Sequence, residues 1–528
     1  RRVIAHRWLK RAEPSREEMP WNRIFQMRTS KYAKSKSLRE AVEMGIPAGL
    51  LDLRPCWLTN PDTAATILPL RADLFDVVIF DEASQCPIEQ ALPIIYRGKH
   101  IVVAGDEKQL PPTSFFKPDI AEDVELGDGE EEEATEAPVD HHAKRIRRAG
   151  QEYLLQVDNL LDAAVDLLPE EYLQVHYRSE HPGLIEYSNH AFYGGRLEMP
   201  PARASIGVDE SPIEYKWVEG TYDQRQNHKE ARAVIDLLKE QWLADGSTGT
   251  LGVVTFNQVQ RDLIEDLIEK ECASDSRFAK SYEKQVSRCE GNRDIGFFVK
   301  NLENVQGDER DIIVFSTTFG RDETGRFYRR FGPVGARGGE RRLNVAVTRA
   351  KKKVVVVTSM PVYEVSSALT GTSVGAGLTP AAYLQLYLRY AQALSEGDDD
   401  GLRRVFSILG KALPAESQGS AESPLEVEVL KAIEAMGYQA DCQVGESGFR
   451  IDLAVRHPEQ NGGYVLGVEC DGATYHSGHR ARARDVWRQS ILTNRGWAIH
   501  RVWSRTWWNH TEAAKAELKE AIEHALAS

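Results

Sequence analysis

The sequence has no run of apolar residues approaching the roughly 20 that a bilayer-spanning helix requires, so it offers no anchor of that kind. It has no CxxC pair. The six cysteines stand far apart, at positions 56, 86, 272, 289, 442 and 470. This spacing excludes a disulfide-stapled scaffold and a paired-thiolate zinc site, and a reducing, cytoplasmic setting fits best. There is no signal-peptide pattern and no Met at the start. Arg1-Arg2-Val3-Ile4-Ala5-His6 reads as the interior of a longer protein. An excess of basic residues is also missing, and a net charge of −14 argues weakly against a nucleic-acid partner. That acid is concentrated, however. Between Pro118 and Asp140 stand eleven Asp or Glu residues and no Lys or Arg, which predicts a self-repelling, disordered surface insertion. The basic patch Lys144-Arg145-Ile146-Arg147-Arg148 follows it as a counterweight.

What is present is ordinary globular composition, 41% hydrophobic and 28% charged over 528 residues, enough for several domains with buried cores. The most informative stretch is Asp76-Val77-Val78-Ile79-Phe80-Asp81-Glu82-Ala83-Ser84-Gln85. Val77 to Phe80 predict a strand buried on both faces, as in a parallel sheet. Asp81 and Glu82 then fall where that strand ends, the edge at which open α/β sheets bind ligands. Taken alone, such a pair is a charged, solvated turn. Its alternative use is to hold magnesium and activate a water.

A second apolar run, Ile101 to Ala104, leads into Gly105-Asp106-Glu107-Lys108-Gln109, so two strand ends carry polar chemistry. Gln109 could read a phosphate without adding charge. Beyond the acidic insertion come His176-Tyr177-Arg178-Ser179 and a strand at 251–257 entering a helix at 258–270. Val305-Gln306-Gly307-Asp308-Glu309-Arg310-Asp311 and strands at 312–316 and 354–357 follow, with Asn344 to Ala350 before the last of these. Strands alternating with helical stretches predict α/β units with parallel sheets.

The segments DEASQ, GDEKQLPP, HYRS, VQGDERD and NVAVTRAKK occur in this order. Together they resemble motifs II to VI of superfamily 1 helicases, with spelling nearest the branch that includes the nonsense-mediated-decay helicase. The resemblance covers roughly residues 50 to 360. It implies two RecA-like domains with ATP and Mg2+ between them. Asp81 would hold magnesium, Glu82 would handle the attacking water, Gln85 would help bind the cofactor, and Gln109 would sense the γ-phosphate. Arg178 and Arg349 would be arginine fingers in phosphoryl transfer, where positive charge rather than covalent chemistry is needed. Gln306, Gly307 and Glu309 would couple nucleotide to nucleic acid and ribose. One departure matters: the GxxxxGK[ST] loop of the family is not found anywhere in the sequence. The first RecA-like domain is therefore expected to be incomplete, and residues 1–528 alone are expected neither to bind nor to hydrolyse ATP.

After Ser359 the character changes. A helix from Pro380 to Leu394 carries Tyr383, Tyr387 and Tyr390 at helical spacing, a stripe that predicts packing rather than a stacking platform. Asp398-Asp399-Asp400 and the run 414–420 are expected to mark a linker. Ser423-Pro424 is a helix start, with Ser as cap and Pro at the first helical position. Downstream, Arg450 to Val455 alternate around one carboxylate, Asp452, and a further strand ends in Glu469-Cys470-Asp471 before Tyr475-His476. The segment 423–510 resembles the restriction-endonuclease-like fold, nearest the very-short-patch repair endonuclease. That implies Asp452 as central metal ligand with Glu469 or Asp471, His476 as general base or acid, and Glu426 as supporting carboxylate. Mg2+ or Mn2+ suits such oxygen donors. Asp471 stands where the widespread pattern has Lys, which leaves the base open. The seven arginines between 480 and 505 could each meet a phosphate or a neighbouring carboxylate, and none can be singled out. Trp497, Trp503, Trp507 and Trp508 are expected in the core.

The domains expected are 1–116, a first, incomplete RecA-like domain; 117–158, the charged insertion; 159–362, a second RecA-like domain; 363–422, a helical linker; and 423–528, the nuclease-like domain. The expected function is an ATP-dependent DNA helicase or translocase coupled to metal-dependent DNA cleavage, with repair or mobile-element defence suggested only by analogy. The alternative is an RNA or DNA helicase whose terminal domain merely binds nucleic acid.

Overall fold

The computed structural model describes residues 37–47, 49–110, 159–201, 211–243, 249–291, 293–367, 369, 378–410, 421, 423–445, 449–459, 463–471 and 479–527. The acidic stretch, the basic patch and His476 lie outside them. The chain divides into two compact units, which part after Glu171.

In the first unit, β1 (Phe75–Phe80) pairs in parallel with β2 (Gly98–Val103), from Phe75↔Gly98 to Phe80↔Val103. The helix Ile88–Ile95 supplies the crossover that a parallel pair requires. Phe80, Ala83, Cys86, Ala91 and Leu160 form the buried centre, with Val78 and Val103 packed against it. The expectation that Val77 to Phe80 are buried on both faces needs correction, because Val77 is 50% and Ile79 68% exposed. Among the described residues, helices cover the Val78/Phe80 face and leave the other open.

Among the described residues the second unit holds two large sheets and the short antiparallel pair Cys289–Glu290 with Arg293–Asp294. The first has five parallel strands: β3 (Ile213–Trp217), β4 (Leu251–Thr255), β5 (Phe298–Asn301), β6 (Arg310–Ser316) and β7 (Ala350–Thr358), ordered β3-β7-β6-β4-β5. Here the apolar runs do predict burial, and every residue of β4 is buried. The helix Gln258–Ser274 starts where Asn257 Oδ1 accepts the Gln260 N–H at 2.8 Å. With His228–Leu243 it covers a core built around Trp242, Leu263, Ile264 and Phe278. The tyrosine stripe packs as its spacing implies. Tyr187 lies 5.3 Å from Tyr387 and 5.7 Å from Tyr390, ring to ring. Tyr390 also donates to the Gly183 carbonyl at 2.8 Å. The Asp398–Asp400 run, expected in a linker, instead starts the helix Asp399–Ile408, with Asp398 Oδ1 accepting the Gly401 N–H at 2.9 Å. Acidic residues complement a helix N-terminus, and that wins here over charge repulsion.

The terminal sheet comprises β8 (Ala440–Val444), β9 (Ile451–Arg456), β10 (Tyr464–Asp471) and β11 (Ile499–Trp503) in sequence order. The first two pairings are antiparallel and the last is parallel. The helix Pro424–Ala435 and the final helix Thr511–Ala527 cover one face through Val429, Ile433, Leu518 and Ile522. Trp497 and Trp507 are buried as expected, whereas Trp503 and Trp508 are exposed, which corrects the reading of all four as core. Parallel sheets layered with helices make this an α/β protein, as expected.

Candidate active sites

The first site is built where β1 and β2 end. Ala104 N–H donates to the Phe80 carbonyl at 2.8 Å, and Ala83 N–H to the Ala104 carbonyl at 2.9 Å. The ladder thus continues past both strands and fixes Asp81 and Glu82 at the carboxyl edge. Glu82 N–H donates to Asp81 Oδ1 at 3.0 Å. Glu82 adopts φ 54°, left-handed backbone that a non-glycine residue occupies at a cost of about 1–3 kcal/mol. The turn exposes Asp81, Glu82 and Gln85 while burying Ala83 and Ser84 beneath them. Gly105 lies so close that a Cβ there would stand 3.2 Å from the Ala83 and Ser84 nitrogens. In the turn after β2, Asp106 Oδ1 accepts the Lys108 N–H at 2.8 Å, and its Oδ2 accepts from Gln109 Nε2 at 3.0 Å, which orients that amide.

The second site gathers around Glu309. Arg178 Nε donates to Glu309 Oε2 at 2.9 Å and Nη1 to the Thr348 carbonyl at 3.4 Å. Arg293 and Lys351 approach Glu309 Oε1 at 2.9 and 3.2 Å. Burial works against the carboxylate, but hydrogen bonds from Lys351 and Arg178 overcome it and hold the Glu309 carboxyl at about 2. Arg349 is buried beside this cluster, its Nε donating to the Val345 carbonyl at 2.6 Å. Gly307 has φ 87° with open space where a side chain would be, so the Gln306–Gly307 turn relies on glycine.

The third site lies in the terminal sheet. Asp452 and Glu469 stand one step beyond the Leu453↔Val468 pair of neighbouring strands, so their side chains share a face. Cys470 N–H donates to Asp452 Oδ2 at 2.7 Å. Glu426, buried on the first helix, accepts from Ser423 Oγ at 2.8 Å and Gln443 Nε2 at 3.0 Å. Burial, reinforced by the charges of Glu469 and Glu426, raises Asp452 to about 6 against the opposing Cys470 N–H and Arg488. Arg488 Nη1 pairs with Glu469 Oε1 at 2.8 Å, and its Nη2 donates to the Arg450 carbonyl. Asp471 pairs with Arg501 Nε at 3.2 Å. Among the described residues no three His, Cys, Asp or Glu side chains stand together as a ready metal cage. The donor chemistry nevertheless fits a hard divalent cation, since mutually repelling buried carboxylates are what such an ion neutralises.

Residues 59–117 and 158–361 match AAA-domain families, and residues 425–522 match the REase_MTES_1575 family. The "Uncharacterized ATP-dependent helicase MG140 homolog" of Mycoplasma pneumoniae is 30% identical over 90% of this chain and 39% of its own length. "DNA-binding protein SMUBP-2" of Rattus norvegicus is 25% identical over 61% of this chain and 29% of its own. "Helicase SEN1" of Saccharomyces cerevisiae is 25% identical over 57% of this chain and 12% of its own. The chain carries helicase AAA domains followed by a restriction-endonuclease-like domain. It spans about two fifths of the length of the first of these relatives.

In the helicase-type part, the motifs singled out by sequence fall at the carboxyl edge of β1–β2 in one unit and around Glu309 in the other. Sequence reasoning missed Arg293, which carries no motif signal, and Lys351, which stands inside NVAVTRAKK without a role singled out, as partners of Glu309. It also passed over Glu230, fully buried at the start of the helix His228–Leu243. Its carboxylate accepts from Thr318 N–H at 2.7 Å, Ser359 N–H at 2.8 Å and Ser316 Oγ at 2.8 Å. Burial raises it to about 7 despite those donors. In the restriction-endonuclease-like part, Arg488 is the arginine that the sequence could not single out. Its place among many arginines gave no hint that it faces Glu469. Among the described residues no helix is long and apolar enough to cross a membrane.

Proposed function

We propose that this chain belongs to an ATP-driven helicase or translocase acting on DNA, and that its terminal domain cleaves DNA with Mg2+ or Mn2+. The observation that carries the cleavage half is the pairing of half-buried Asp452 with buried Glu469, with buried Glu426 near them and Arg488 on Glu469. Support for the motor half comes from the ordered AAA segments and from the names of relatives, one a DNA-binding protein.

In the motor, Asp81 is the residue to hold the magnesium of ATP, and Glu82 accepts a proton from, or orients, the attacking water. Gln109, aimed by Asp106, reads the γ-phosphate. Arg178 exchanges Glu309 for phosphate oxygens, and Arg349 adds a second guanidinium. Gln306, Gly307 and Glu309 would couple nucleotide to nucleic acid and ribose. In the nuclease, Asp452 and Glu469 would hold the divalent ion, with Asp471 as a further candidate ligand; the ion supplies an activated water and steadies the leaving oxygen. Arg488 shields Glu469 and is placed to meet a phosphate. His476 remains the candidate base on the strength of the sequence alone.

The test is manganese-dependent cleavage of duplex and single-stranded DNA, with matched RNA, by the parent and Asp452→Ala. Loss of cleavage at unchanged thermal stability supports the nuclease. Equal cleavage by Asp452→Ala removes it, and cleavage or unwinding confined to RNA removes the DNA assignment.

A further inference from the structure

The HYRS turn is where the restriction-endonuclease-like domain meets the second AAA domain, both within the second unit. Arg495, just beyond the helix His479–Asn494, donates from Nη2 to the Ser179 carbonyl at 2.5 Å and from Nη1 to the Glu180 carbonyl at 3.5 Å. Ser179 directly follows Arg178. Trp497, buried two residues further on, donates from Nε1 to the Pro201 carbonyl at 2.7 Å. Val175, one residue before the motif, packs with Phe449, Ile451, Leu492 and Trp497 of the terminal domain.

The far side of the same turn is tied to the motor sheet. Glu180 N–H donates to the Lys351 carbonyl at 2.7 Å, and Ser179 Oγ to the Ala350 carbonyl at 3.4 Å. Inside the turn, Ser179 N–H donates to His176 Nε2 at 3.1 Å. Burial first, and then the charges of Arg178, Arg495 and Arg349, push His176 down to about 3, so the ring is neutral and serves as an acceptor. The charge of Arg495, from the terminal domain, thus adds to those of Arg178 and Arg349 in keeping the imidazole uncharged.

We infer that Arg495 is a positioning residue for Arg178, so that the terminal domain helps set the arginine finger of the motor. The guanidinium braces two successive carbonyls immediately after Arg178, on a backbone segment whose N–H groups are held by His176 within the turn and by the Lys351 carbonyl of β7. A finger must lie within a fraction of an ångström of its phosphate oxygens. A misplacement of about 1 Å can cost on the order of 100-fold in rate. Ordering of the finger turn therefore depends on residues some 300 positions away, in a domain that the ATPase reaction does not otherwise need. The inference rests on the motor reading above.

The test is DNA-stimulated ATP hydrolysis by the full-length protein, comparing the parent, Arg495→Ala, Arg178→Ala and the double variant, with Arg495→Lys as the milder change. Arg495→Ala is expected to lower kcat about tenfold and leave the KM for ATP within about twofold, since an interaction felt only in the transition state moves kcat. Arg495→Lys, which can still donate to one carbonyl, retains more of the rate. In the Arg178→Ala background, adding Arg495→Ala should change kcat by less than about twofold, because residues acting as one device are not additive. An unchanged kcat in a folded Arg495→Ala protein overturns the inference. So does an equal loss in both backgrounds, which would mean a general structural role. A parent that carries a GxxxxGK[ST] loop and still shows no ATPase overturns the motor reading itself, a result separable from both.

Discussion

Glu309→Gln tests whether the arginine cluster is organised by one carboxylate. In the parent, Glu309 accepts from Arg178 at 2.9 Å and pairs with Arg293 and Lys351 at 2.9 and 3.2 Å. Its carboxyl is held at about 2 against an ordinary value of 4.5, with burial opposing and Lys351 and Arg178 prevailing. Taken in full, that depression corresponds to about 3 kcal/mol. Glu309 is only 17% exposed, but Arg293 is 55% exposed, so solvent screening brings the expected contribution to about 1–2 kcal/mol. The sign follows from linkage. A depressed carboxyl stabilises the fold above its ordinary value and loses that stabilisation as pH falls toward 2. Urea denaturation of both proteins, read by tryptophan fluorescence, should therefore show a gap of about 1–2 kcal/mol near pH 7 that narrows below about pH 4.5. Equal stabilities near pH 7 refute the reasoning. A gap that stays constant down to about pH 3 also refutes it, by assigning the loss to packing instead of charge.

Three further outcomes follow from the same contacts. Glu230→Gln turns an amide NH2 toward donors from Thr318, Ser359 and Ser316, so the urea midpoint should drop by the equivalent of about 2–3 kcal/mol; an unchanged midpoint would show that those donors are satisfied elsewhere. Ser423→Ala removes both the helix cap and the hydroxyl that donates to Glu426, and should cost about 1 kcal/mol by the same measurement. Trp507→Ala empties the centre of the terminal core, with an expected loss of about 3–5 kcal/mol, and a loss below about 1 kcal/mol would show that the site collapses around it.

Much of the strand framework was readable because apolar runs and motif spelling mark strand ends directly. Asp81, Gln109 and Asp452 all fall at or beside such ends. What could not be read depended on neighbours. The run Val77 to Phe80 has the composition of a doubly covered strand, yet burial is decided by what packs on it, and Ile79 faces outward among the described residues. The Asp398–Asp400 run looks like a solvated linker until its first carboxylate is seen accepting the Gly401 N–H. Trp503 and Trp508 have the size of core residues, but β11 and the short helix after it turn them to solvent. Least legible were the partners of Arg178 and Arg495, which pair with residues far away in sequence and leave no local pattern.

The bond between Ser179 and Arg495 joins positions 316 residues apart. At about 5–20 residues per second, a ribosome takes on the order of 15–60 s to travel that far. Through all of that time the HYRS turn exists without the guanidinium and the apolar wall that complete its packing. Val175 and the open carbonyls of Ser179 and Glu180 face solvent or a chaperone until residues 449–497 emerge. The second unit therefore cannot reach its final form domain by domain in order of synthesis, and its closing contact is made only once Arg495 has been added.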